Sequence, residues 1–248
     1  MNFLSHYYLH RDPEDNYFTV GLTVPDLLGF HTRRVRVTKK YLKNFLEKEN
    51  DARIISHIHG MMLHLDLDRW FHNSDFFKEK IIFLQNSYIN FNSEGSDLPH
   101  FYAHIILEIL LDRYLLMIEP DIADNFYDSY KRFNFSDITR IFRGLENFSN
   151  DKFILLADNV SHSTFLKEYI DNYSIINILT RVSNRIEIPM GLNPDRDEFA
   201  DYIQYVYNEL EKPIEDFFIR AKAETAIKER EVIVSNFMVT SKNLNFSL

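Results

Sequence analysis

The sequence predicts an all-α protein. Three observations carry this: only six glycines and seven prolines interrupt 248 residues, strand-like alternation is scarce, and apolar residues recur at helical spacing through most of the chain. RVRVT (34–38) is the clearest alternating stretch, and it is short. A hydrophobic content of 45% in a chain of this length supports a substantial core. One multi-helix domain over 1–248 is the simplest organisation, with no internal repeat and no low-complexity linker.

Each helix has local reasons. Residues 2–10 form a short helical start. The apolar stretch 18–28 is expected to be buried, with Pro25 bending or breaking it just before Asp26. Helices follow at 38–48 and 51–72, the second capped by Asn50 or Asp51, and at 74–86 behind Ser74. The polar run NFNSEGSD (90–97) is a loop. Pro99 then suits an early position of a helix over 98–118, which ends before Pro120. Further helices are expected at 121–132, 136–147, 162–171 and 173–187, the last closing before Pro189. Residues from about 195 to 240 read as one long helix or two, kinked or split at Pro213, and the tail VTSKNLNFSL frays.

Composition narrows the function. No run of ~18 apolar residues is present, so no membrane span is expected. The start, MNFLSHYYLHRDPED, lacks a basic leader region, which makes a cytoplasmic location the expectation. The absence of cysteine excludes disulfides, thiolate ligands and a cysteine nucleophile. A net charge of −9 argues against a nucleic-acid partner. The charge is uneven, however: HTRRVRVTKK (31–40) holds Arg33, Arg34, Arg36, Lys39 and Lys40 without an acid. That cluster is a solvated surface, or an anion contact if it lies beside a catalytic site.

Nine of the ten histidines fall within the first 104 residues, and imidazole serves metal sites and general bases. Gly60, His64, Asp68 and His72 recur every four residues and so share one helix face. His64 and Asp68 can ligate a divalent cation or form a local hydrogen-bonded pair. Gly60 costs a helix about 1 kcal/mol against alanine, which a close approach by backbone or ligand would explain. A second stripe, His100, His104, Glu108 and Asp112, lies on the Ile- and Leu-rich stretch 99–116. Of these, His104 and Glu108 are site candidates or a buried pair. His100 opens the helix, and Asp112 beside Arg113 is expected at the surface. His6 and Asp26 are polar groups inside the apolar stretches NFLSHYYL and VGLTVPDLLG. Asp26 there can orient water, hold a metal or cap a helix.

Three motifs carry a resemblance. MNFLSH at the start, Gly21–Asp26–Gly29 spaced as G-x-x-x-x-D-x-x-G, and Gly60–His64–Asp68 within G-x-x-x-H-x-x-x-D are similar to the acyl carrier protein phosphodiesterase family. FLKEYIDNYSIINILTRVSNR (165–185) extends the likeness, so it covers roughly 1–190, with a C-terminal helical extension beyond. The resemblance implies an HD-domain-like helical bundle and hydrolysis of the phosphodiester between 4′-phosphopantetheine and holo-acyl carrier protein. It also implies a divalent metal, manganese or magnesium, with iron or zinc as alternatives. His6, Asp26, His64 and Asp68 would form the metal cluster. Asp26 or Glu108 would take a proton, and His72 or His104 would protonate the leaving group. Arg33, Arg34 and Arg36 would hold the acidic carrier protein or a phosphate. The chain departs from the family where acids are usual: His72 and His104 stand there instead, which favours softer transition metals. Competing readings are a phosphohydrolase for another small phosphoester or nucleotide, and a helical partner-binding protein without chemistry. A di-iron carboxylate bundle is a weaker reading, because its pairs run E-x-x-H and this chain has H-x-x-x-E.

Overall fold

The computed structural model describes residues 1–31, 36–91, 97–186 and 196–244, with side chains described up to 184 and from 197 to 224 in the last two stretches. Every element among the described residues is helical, and none is a strand. The chain divides into two compact units, Met1–Asn208 and Glu209–Leu248. The first holds every described residue of the candidate site.

The N-terminal half supplies α1 (Phe3–His10), α2 (Asn16–Gly21), α3 (Val24–His31), α4 (Lys39–Leu46), α5 (Ala52–Asn73) and α6 (Asp75–Tyr88). Side-chain caps set several starts. Asp15 accepts the Phe18 N–H, Thr38 that of Tyr41, Asp51 that of Arg53 and Ser74 that of Phe77. Pro25 does not break α3 but sits in its first turn, where its missing N–H would have had no intrahelical partner. Of the RVRVT stretch, residues 36–38 form no regular element. Arg34 and Val35 lie outside the described residues, as do Arg33, most of the 90–97 loop, Pro189 and the last four residues.

The long α7 (His100–Ile118) is buried along most of its length. Below α1, the Phe3 ring meets Phe30, Phe126 and Phe165 at centroid distances of 5.8, 5.9 and 6.0 Å. Next come α8 (Ile122–Lys131), a 3₁₀ turn at Phe135–Ile138 and the short α9 (Thr139–Phe142). The single helix expected at 136–147 is thus two short pieces. Asn134 caps the first, and after α9 the chain reaches Asn147 in the left-handed region at φ 64°.

The helix expected at 162–171 is also corrected. The regular helix is α10 (Asn150–Ser161), which buries Phe153, Ala157, Val160 and Ser161 along one face. After it only a 3₁₀ turn, Lys167–Ile170, forms. The Leu166 N–H there is taken by the Tyr127 hydroxyl rather than by a helix carbonyl. α11 (Asn172–Ile186) and α12 (Arg196–Leu244) complete the chain, and α12 runs through Pro213 without splitting. No helix among the described residues is long and apolar enough to cross a membrane.

Asp112 is the main correction to the surface assignments. It is fully buried, and so is most of Arg113. α1 begins without a side-chain cap from Asn2, and Asp112 of α7 serves instead. Its carboxylate accepts the Leu4 N–H at 3.1 Å, the Ser5 N–H at 2.8 Å and the Ser5 hydroxyl at 2.7 Å. Two orphan donors of the first helical turn are satisfied from another helix. Arg113 turns away, donating to Asn172 at 2.6 Å and Gln204 at 3.2 Å, with its guanidinium 4.1 Å from the Tyr207 ring centroid. His100, by contrast, is exposed at the first turn of α7, as expected.

Candidate metal centre

The site starts from a crossing of two backbones. A Cβ on Gly60 would meet the Phe18 carbonyl oxygen far inside van der Waals contact, and one on Gly21 would meet that of His57. Only two glycines let α2 and α5 approach this closely. The approach brings the chain just after α2 against the next turn of α5, where the His64 Nδ1–H donates to the Leu22 carbonyl oxygen at 2.8 Å. A carbonyl only accepts, so this bond fixes the proton on Nδ1 and leaves a lone pair on Nε2. Burial, with His6 nearby, pushes the His64 imidazolium down to about 3, so the ring is neutral.

That lone pair faces two carboxylates. His64 Nε2 lies 3.6 Å from Asp26 Oδ1 and 3.6 Å from Asp68 Oδ2. Asp26 comes from the first turn of α3, and Asp68 lies one turn beyond His64 on α5. α1 adds His6, fully buried, with its ring stacked on that of His64 at 3.8 Å and its Nε2 3.1 Å from Asp68 Oδ1. One ligand atom each from His6, Asp26 and His64 lie within 4.8 Å of one another. Two buried polar atoms in this cluster, Asp26 Oδ2 and His6 Nδ1, have no hydrogen-bond partner. A lone pair aimed at carboxylate oxygens, next to a partnerless carboxylate oxygen, is an arrangement that a cation relieves. The donor set therefore fits a divalent metal.

The electrostatics divide the two acids. Burial first, then the nearby Asp68 charge, holds the Asp26 carboxyl well above the usual carboxylate range. For Asp68 burial is outweighed by the Met1 ammonium and the His6 hydrogen bond, and its carboxyl falls well below that range. Two acids in one cluster thus differ in their readiness to hold a proton.

A second group lies beside the first. His72 is one turn beyond Asp68 on α5, while His104 and Glu108 stand one turn apart on α7. His72 Nε2 is 2.9 Å from His104 Nε2, which is 2.9 Å from Glu108 Oε1, and His72 Nε2 is 3.5 Å from that same oxygen. The amino group of Met1 links the groups, 2.9 Å from Asp68 Oδ1 and 3.0 Å from Glu108 Oε1. Burial would lower its pKa, but Glu108, Asp68 and Asp26 together push it up to about 11. Around Glu108, burial is outweighed by this ammonium and by the His104 and His72 hydrogen bonds, so the carboxyl stays well below its usual range.

The structure thus gathers His6, Asp26, His64 and Asp68 in one cluster and His72, His104 and Glu108 in an adjoining one. Of the basic run, Arg36 is exposed and Lys39 pairs with Asp66 of α5; Arg33 and Arg34 fall outside the described residues. Sequence reasoning missed the Met1 amino group, whose partners lie 67 and more residues away. It also missed Phe77, whose ring stands edge-on to both His72 and His104 at 4.9 and 5.1 Å. Comparison with family models, curated proteins and solved structures finds no match to this chain, so the family likeness rests on the residues quoted above.

Proposed function

We propose that the chain is a metal-dependent phosphodiester hydrolase of the acyl carrier protein phosphodiesterase type, releasing 4′-phosphopantetheine from holo-acyl carrier protein. One observation carries the hydrolase reading: residues from three separate segments, His6, Asp26 and the His64/Asp68 pair, converge around a lone pair and a partnerless carboxylate oxygen. The substrate is selected by the opening hexapeptide and the two spaced motifs.

His6, Asp26, His64 and Asp68 would hold the cation. Such an ion supplies Lewis acidity toward a phosphoryl oxygen and makes water a better nucleophile near neutral pH. The Leu22 carbonyl keeps His64 in the tautomer that offers Nε2. With its carboxyl held well above the usual carboxylate range, Asp26 would have to be deprotonated to hold a cation, so affinity would rise with pH. Asp26 and Asp68 keep 22% and 29% of their side-chain surface exposed, so solvent reaches the edge of the cluster while His6 and His64 stay buried. The basic run with Arg33, Arg34 and Arg36 would hold the phosphate or the acidic face of the carrier.

The test is incubation of purified chain and Mn²⁺ with holo-acyl carrier protein, read by intact mass for loss of the phosphopantetheine group. Asp26→Asn and His64→Ala are expected to lower the rate by at least the ~10–100-fold that loss of an outer-shell partner alone costs. Cleavage of a generic diester with the carrier left intact would move the assignment to another phosphoester. Failure to take up any divalent ion would remove the hydrolase reading altogether.

A further inference from the structure

We propose that His72, His104 and Glu108 form a second, nitrogen-rich metal site, suited to a first-row transition ion such as zinc or iron(II), beside the cluster built on His64. It rests on the geometry of these three side chains and not on the reaction assigned above.

Three lone-pair atoms stand at the corners of a triangle with sides of 2.9, 2.9 and 3.5 Å. A point about 2.1 Å from all three, an ordinary bond length for imidazole and carboxylate ligands, lies about 1 Å above their plane. That is close to one face of an octahedron, with the other positions open to water or substrate. Two imidazoles and one carboxylate in facial array are a recurrent site for zinc or iron(II).

Proton bookkeeping favours an ion over a bare hydrogen-bonded trio. Each imidazole Nε2 carries at most one hydrogen. If both imidazoles donate to Glu108, two N–H groups face each other across 2.9 Å; if His104 donates to His72 instead, its own 2.9 Å contact with Glu108 Oε1, an oxygen the Met1 ammonium also reaches, has no hydrogen between the two atoms. One ion above the triangle satisfies all three lone pairs together. The site is also held and reachable. Phe77, itself buried, packs edge-on against both imidazoles and limits their rotation. His72 and His104 keep 33% and 30% of their side chains exposed, so an ion can enter from solvent. The charges around it are Glu108, held ionised, the Met1 ammonium on Glu108 Oε1, and Asp68 on the far side of that ammonium.

The experiment counts metal. Full-length chain is stripped with chelator, reloaded with Zn²⁺ or Co²⁺, gel-filtered and analysed for metal per chain, with cobalt d–d absorption as a second readout. The wild type is expected to retain two equivalents. His104→Ala and the near-isosteric Glu108→Gln should each retain one, and His64→Ala should retain the other, all with wild-type helical circular dichroism. A wild type that retains one equivalent, lost in His64→Ala, overturns the proposal even if a variant fails to fold. So do two equivalents that persist in either folded variant, His104→Ala or Glu108→Gln. A single equivalent lost in His104→Ala but kept in His64→Ala leaves the second site standing and removes the first, and with it the hydrolase reading.

Discussion

Replacing Gly60 with alanine sets two opposing effects against each other. In a helix interior alanine is about 1 kcal/mol more favourable than glycine, so propensity alone predicts a more stable protein. The added Cβ, however, would overlap the Phe18 carbonyl oxygen and come within 3.1 Å of the Gly21 Cα and carbonyl carbon. These are backbone atoms of α2, which cannot rotate aside as a side chain can. Overpacking costs about 1–3 kcal/mol where side chains absorb it, and an obstructed backbone belongs at or beyond the top of that range. After the propensity gain is subtracted, a loss of about 2 kcal/mol remains. For a protein of this size that lowers Tm by about 4–8 °C. Thermal unfolding of metal-free protein, followed by far-UV circular dichroism, measures it. Gly29→Ala is the control: a Cβ there meets nothing within 4 Å, so stability should hold or rise by up to about 1 kcal/mol. The same crossing carries the His64–Leu22 bond, so Gly60→Ala should also weaken Mn²⁺ binding by about 10–100-fold. A Gly60→Ala protein as stable as wild type, binding Mn²⁺ normally, would refute the view that backbone approach positions the site.

Three other outcomes follow from the geometry. Asp112→Ala leaves the Leu4 and Ser5 N–H groups buried without an acceptor and should cost about 3–5 kcal/mol in urea unfolding; a loss below about 1 kcal/mol would mean α1 finds another cap. His57 is fully buried, and burial, only partly offset by its bond to the Tyr17 carbonyl, lowers its pKa from 6.5 to about 4. The unfolded chain therefore binds more protons between those values. The contribution, about 3 kcal/mol, is complete above pH 6.5 and disappears as pH falls through 4. Urea midpoints at pH 7 and pH 5 should differ by less in His57→Gln than in wild type, and equal differences would count against this assignment. Finally, Mn²⁺ at about 100 times its Kd should add about 2.7 kcal/mol and raise Tm by about 5–10 °C, reversibly with chelator. His64→Ala should abolish the shift due to the first cluster; a Tm indifferent to metal in the wild type would leave that cluster without a cation.

How much of this the sequence displays follows the range of each interaction. The stripe Gly60, His64, Asp68, His72 is legible because all four lie on one helix and the period alone aligns them. Its division between two clusters is not, since that depends on which helix faces each turn: α1 and α3 meet the turns of His64 and Asp68, and α7 meets His72. Helix starts with their own caps, such as Ser74 and Asp51, are readable. The start of α1 is not, because its acceptor is Asp112, more than 100 residues away. An Asp-Arg pair interrupting an apolar run looks like a turn of helix that faces solvent, and nothing local says that α1 needs a carboxylate there. α10 hides for a different reason: Leu155, 61% exposed, breaks the apolar stripe that Phe153, Ala157 and Val160 draw.

The same division explains why a site made of ordinary residues can be specific. Each member of the first cluster satisfies a local pattern without requiring a metal: Asp26 could be a cap, His64 and Asp68 an i,i+4 pair, His6 a core histidine. What none of those local roles explains is a neutral imidazole whose donor nitrogen is committed to Leu22 while its bare nitrogen faces two acids. A local pair would put the Nε2 hydrogen on Asp68; the Leu22 carbonyl prevents this by holding the proton on Nδ1. That commitment depends on α2 and α5 being closer than any residue but glycine allows, so the chemistry of His64 is decided at Gly21 and Gly60. Both glycines are therefore positioning residues, and a substitution at either should lower metal affinity before it abolishes the fold.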